Sequence, residues 1–108
     1  MRLRAESRDV LLFRPAWDGD AHAGRTETSM LLHLAPARVR MASAVPGDTR
    51  PLAEIWSLLR AGGVRAVSES GVLGDPAGAT AGAGLALLDG LSAALIREVA
   101  GWHPEVRG

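Results

Sequence analysis

The chain contains no cysteine, which excludes disulfides, thiolate metal sites and cysteine nucleophiles at the outset. Aromatic residues are scarce: Phe13, Trp17, Trp56 and Trp102, with no tyrosine. They are too widely spaced to form a platform on which bases stack. Charge of neither sign dominates, because 12 basic residues balance 12 acidic ones. Binding to nucleic acid or to an anionic membrane calls for a basic excess, so neither partner is expected. No apolar run approaches the length of a membrane span. Met1 to Arg8 is charged where a signal peptide would be apolar. Together these absences set the expectation of a soluble, cytoplasmic protein. A chain of 108 residues is expected to form one domain at most, around a modest core.

Hydrophobic patterning supplies the elements. Met1 to Glu6 reads as the tail of a helix. Val10-Leu11-Leu12-Phe13 is a continuous apolar run, as in a strand buried on both faces of a parallel sheet, and Pro15 ends it. A helix is expected from Thr26 or Glu27, with Thr26 as cap and Glu27 complementing the helix dipole. Met30, Leu31 and Leu34 share one face of it, and Pro36 stops it. Ala37 to Arg50 has weak periodicity and a Pro-Gly-Asp turn at 46–48. Leu52, Ile55, Trp56 and Leu59 fall at helical spacing behind Pro51, and Gly62-Gly63 closes that helix. Val64 to Val67 reads as a short strand and Gly71 to Gly78 as a loop. The last helix, from about Thr80 to Ala100, carries one stripe: Leu85, Leu88, Ser92, Leu95, Val99 and Trp102. Gly82, Gly84 and Gly90 each weaken it by about 1 kcal/mol relative to alanine, so docking has to stabilise it. Two strands against three helices are too few for a doubly wound α/β domain.

The segment Asp20-Ala-His-Ala-Gly-Arg-Thr-Glu-Thr-Ser29 concentrates the chemistry. An imidazole exchanges protons near neutral pH and binds metals through a ring nitrogen, which makes His22 a candidate base or ligand. A loop histidine exposed to solvent is the bland alternative. Glu27 can hold a divalent cation, or simply complement the helix dipole. The two can converge on one point, yet two ligands do not make a tight metal site. Asp18 and Asp20 lie close enough in sequence to orient the imidazole. His33 sits among leucines on a helix, and His103 follows the last helix as a surface cap. The glycine-rich stretch from Gly74 to Gly84 lacks the Gly-Lys-Ser/Thr ending of a phosphate loop. Ser29, Ser68 and Ser70 lack the context of a nucleophile elbow.

His22-Ala-Gly-Arg-Thr-Glu27-Thr-Ser29 resembles the His-Ala-Gly-x-x-Glu-Thr-Ser motif of the creatininase family of metal-dependent amidohydrolases. Gly71-Val-Leu-Gly-Asp-Pro76 followed by Ala79-Thr-Ala81 is similar to that family's second C-terminal signature. Leu3-Arg-Ala-Glu6, Leu31-Leu-His-Leu34 and Gly62-Gly-Val-Arg-Ala-Val-Ser68 look like its branch of creatininase-like peptidases in mycofactocin biosynthesis. The resemblance implies a three-layer α/β/α sandwich, usually assembled into oligomers. It implies two divalent metals, variously iron, zinc or manganese, that activate water to cut an amide C–N bond. In that branch the substrate is a peptide that loses a C-terminal Val-Tyr dipeptide. By position Glu27 is the expected metal ligand and His22 the expected catalytic residue, as proton donor or substrate ligand. Trp17, just upstream, is the expected substrate-binding residue at the entrance.

Departures from the family pattern qualify this reading. The Glu-x-His-Gly metal motif, a following Asp ligand and an Asn-Gly-His-Gly-Gly-Asn loop do not occur. Gly82 and Ala83 stand where the family usually has acids. The expected fold class is therefore α/β: residues 1–108 as the C-terminal portion of one three-layer α/β/α creatininase-like domain, its N-terminal part absent. With one of the expected metal ligands, the chain is expected to hold metal weakly and to be inactive alone. Homo-oligomers or pairing with an N-terminal half would supply the rest. The alternative is a non-catalytic truncated remnant or interaction subunit.

Overall fold

A computed structural model describes residues 9–15 and 19–102. The expected helix tail at Met1 to Glu6, together with Trp17, Asp18 and His103, lies outside the described residues. The chain divides into two units, one of residues 1–17 with 89–108 and one of residues 18–88.

In the 18–88 unit, α1 spans Arg25–Leu34. Short 3₁₀ turns follow at Pro36–Arg38 and Met41–Ser43, where Pro36 can no longer continue the helix. The expected Thr26 cap is not the one formed: the residue before the helix is Gly24, and no side chain of its own caps it. Burial on α1 does not follow its apolar residues. Leu31 and Leu34 are exposed, and the buried residues of α1 are Thr26 and Ser29. Small residues face inward because another segment passes very close. A Cβ on Gly84 would collide with the Ser29 carbonyl, and the Ser29 hydroxyl accepts the Thr80 N–H at 3.2 Å.

Helix α2, Leu52–Gly62, agrees with the periodicity. It ends at Gly63, which adopts φ +77° and donates its N–H to the Leu59 carbonyl at 2.8 Å. Ile55 is fully buried, while Leu52 and Trp56 of the same stripe are exposed.

Val64–Val67 is not the expected strand but a four-residue helix, α3, followed by a Ser68 N–H bond to the Val64 carbonyl at 2.8 Å. Val10 to Phe13 is likewise not a strand: it belongs to no regular element. The reason is common to both. A strand exists only through a neighbour that accepts and donates its backbone hydrogen bonds, and the described residues contain no strand. Among the described residues the strand-like pairing is one isolated antiparallel bridge between His22 and Leu73.

A 3₁₀ turn at Pro76–Gly78 leads to α4, Ala81–Ala100. Its first turn holds no acid. Instead the Thr80 hydroxyl accepts the Ala83 N–H at 3.0 Å, which caps the helix. The buried apolar side chains among the described residues are Ile55, Leu73 and Pro76. The buried polar ones are Thr26, Ser29 and Ser68, and no buried side-chain nitrogen or oxygen among the described residues lacks a partner. No helix among the described residues is long and apolar enough to cross a membrane.

Candidate functional site

The segment 71–76 organises the 18–88 unit. On one side Leu73 exchanges backbone bonds with His22, at 2.9 and 3.2 Å, and also accepts the Ala21 N–H. On the other, Gly47 donates to the Gly74 carbonyl at 2.9 Å and Asp48 to Val72 at 3.1 Å. The two stretches singled out in the sequence, 20–29 and 71–80, therefore lie against each other.

Between His22 and α1 the chain turns sharply. Ala23 adopts φ +53°, a left-handed conformation that costs a residue with a Cβ about 1–2 kcal/mol. Local bonds hold it there. Its N–H donates to Glu27 Oε2 at 2.8 Å, and its carbonyl accepts the Thr28 hydroxyl at 3.5 Å. The turn brings His22 Nδ1 to 3.5 Å from Glu27 Oε2, an ion pair whenever the imidazole is protonated. Both side chains remain about half exposed, at 56% and 47%. The two residues singled out five positions apart are thus brought together.

Asp20 does not take the role expected of it. Rather than facing the imidazole, its carboxylate accepts the N–H groups of Arg25 at 2.6 Å, Thr26 at 3.0 Å and Asp75 at 3.3 Å. It fits there because Gly24 and Gly74 have no Cβ, and at Gly74 φ is +147° as well. Burial opposes ionisation of Asp20, but the backbone donors outweigh it, and the carboxyl is held below the ordinary carboxylate value. Asp20 thus satisfies the start of α1 and ties it to the 73–76 loop. Sequence reasoning missed this role because Asp20 lies five residues before the first helical residue, outside the usual capping position.

His22 and Glu27 offer donor types that divalent transition metals accept. A catalytic site takes about three protein ligands, and no group of three or more His, Cys, Asp or Glu able to hold an ion occurs among the described residues. Asp20 is occupied by backbone amides, and Asp48 is paired with Arg50 at 2.6 Å, which lowers its pKa. The pair fits one edge of a metal centre and not a whole one. His33 is exposed near the end of α1, and the Ser29 hydroxyl is buried on Thr80.

A family model described as creatinine amidohydrolase, creatininase, matches residues 1–99. The chain belongs to the creatininase family. Among curated relatives, the mycofactocin precursor peptide peptidase of Mycobacterium tuberculosis is 46% identical over 98% of this chain. Those of Mycolicibacterium smegmatis and Mycobacterium ulcerans are 43% and 44% identical, over 98% and 95% of it. The chain spans only 43%, 43% and 42% of the lengths of these three relatives. No solved structure matches. As a creatininase family member the chain carries an α/β assignment, although the described residues are mostly helical.

Proposed function

We propose that this chain contributes His22 and Glu27 to a metal-dependent amidohydrolase centre that releases a C-terminal dipeptide from a mycofactocin precursor peptide, the remaining ligands being supplied by residues outside it. The observation that carries the reading is the pairing of His22 with Glu27 at 3.5 Å, inside a segment of the creatininase match. In such a centre the chain would form part of a three-layer α/β/α sandwich, as a single domain with residues outside it or as an oligomer.

Glu27 would hold the cation through its carboxylate, which the Ala23 N–H bond to Oε2 keeps in place. Bound there, divalent iron, zinc or manganese would supply Lewis acidity, polarising the scissile carbonyl and lowering the pKa of water so that hydroxide is available as the nucleophile. His22, with Nδ1 turned toward Glu27, has Nε2 to give a proton to the amine as the C–N bond breaks. Trp17 would line the substrate entrance. The test mixes this chain with a polypeptide carrying the family's Glu-x-His-Gly motif, supplies the metals and measures dipeptide release. Release is expected only from the mixture. His22→Ala is expected to lower it by about 10²–10⁴-fold, the usual contribution of acid–base catalysis, and Glu27→Gln to lower bound metal. No release from the mixture, or stoichiometric tight metal binding by the chain alone, would overturn the reading.

A second reading, an interaction subunit without catalysis, is favoured by one observation. Ile96 and Val99 on α4, and Trp102 just after it, are exposed, as a surface awaiting another polypeptide would be.

A further inference from the structure

A cavity of about 260 Å³ opens beside the His22–Glu27 pair. Ala23 and Thr28 form one wall, and they are the residues bonded around Glu27: the Ala23 N–H holds its carboxylate and the Thr28 hydroxyl holds the Ala23 carbonyl. Val39, Met41 and Val72 supply apolar walls, and Arg40 is the one charged residue among the described lining. No carboxylate lines it. The volume falls below the roughly 300–1,000 Å³ of sites for drug-sized ligands, so it suits one or two residues at the end of a chain. The larger hollow nearby, about 550 Å³, is lined by Asp48 and Glu69 and would repel an anion.

We propose that this cavity receives the C-terminal residue of a peptide, with its apolar side chain against Val39, Met41 and Val72 and its terminal carboxylate on the Arg40 guanidinium. The proposal rests on the peptidase reading above and adds to it the group that reads the free C-terminus. The hydroxyl residues Thr28, Ser43 and Ser70 also line the recess but carry no charge, so a lone cation beside Val39, Met41 and Val72 selects an anion that arrives with an apolar neighbour. A free peptide terminus is that combination, and an internal peptide segment is not. Recognition of the terminal carboxylate would fix which amide bond lies over His22 and Glu27.

The test is calorimetric titration of the purified chain with N-acetyl-Val-Tyr and with the same dipeptide as its C-terminal amide. The acid is expected to bind about tenfold more tightly, the usual scale of one charge-assisted hydrogen-bonded contact. Arg40→Gln is expected to reduce the acid to the affinity of the amide, and Arg40→Lys to keep most of the difference. Equal affinities, no binding of either probe, or an Arg40→Gln variant that still prefers the acid would overturn it. The bond from the Ser43 N–H to the Arg40 carbonyl is backbone only, so it survives these substitutions. Should Arg40→Gln fail to fold, the acid–amide comparison on the unchanged chain and Arg40→Lys decides. The unchanged chain, carried through both experiments, separates the two readings. A kept acid preference without dipeptide release from the mixture counts against the metal-centre reading alone. Release without any acid preference counts against the cavity alone.

Discussion

At the residue scale Asp20 and Glu27 divide the work of shaping the site. Glu27 pulls the Ala23 turn closed, and Asp20 locks the start of α1 to the 73–76 loop. Because the folded-state pKa of Asp20 lies below its unfolded value, its contribution is complete above the ordinary carboxylate pKa. It is lost as pH falls through the lower, folded value. Asp20→Asn is expected to destabilise the chain by about 1–2 kcal/mol near neutral pH, the scale of a lost helix cap. It should also flatten the acid limb of stability, read from urea unfolding midpoints at several pH values. An unchanged acid limb would count against the clamp. Glu27 and His22 were legible because both chemistry-bearing side chains stand within one short segment, a loop and the first turn of α1. Asp20 was not, because its partners are backbone groups brought to it by folding.

At the element scale, α2 and α4 follow from spacing and turn residues that act locally. The four residues after Gly63 do not, since β-branched Val64 and Val67 form a strand only where a ladder partner exists. Burial on α1 does not follow its apolar residues either: Leu31 and Leu34 are exposed and Ser29 is buried. A glycine that a pattern counts as a weakness, Gly84, is what lets α4 approach Ser29. Gly84→Ala is expected to destabilise by about 1–3 kcal/mol, because its Cβ meets backbone that cannot yield easily. Gly82→Ala and Gly90→Ala, with nothing near the added methyl, are expected to stabilise by up to about 1 kcal/mol each. Thermal unfolding of the three variants checks the contrast, and equal effects at all three positions would refute a close approach at Gly84.

At the scale of the whole molecule, apolar side chains outnumber the places that bury them. Trp56 is 52% exposed and Ile96 67%, on helices whose stripes would ordinarily face a core. The chain is therefore expected to self-associate, with sedimentation showing a larger species as concentration rises and Ile96→Lys weakening it; a monomer throughout a dilution series would contradict this. The sequence by itself determined the family, the two main amphipathic helices and the His22–Glu27 pair, because motif, periodicity and short loops are local properties of the chain. Only the tertiary structure decided that Asp20 clamps two distant segments, that Gly84 seats a helix on Ser29, and that Arg40 borders the recess beside the pair. Each of these depends on backbone groups and side chains far apart in sequence meeting in space, which no local pattern encodes.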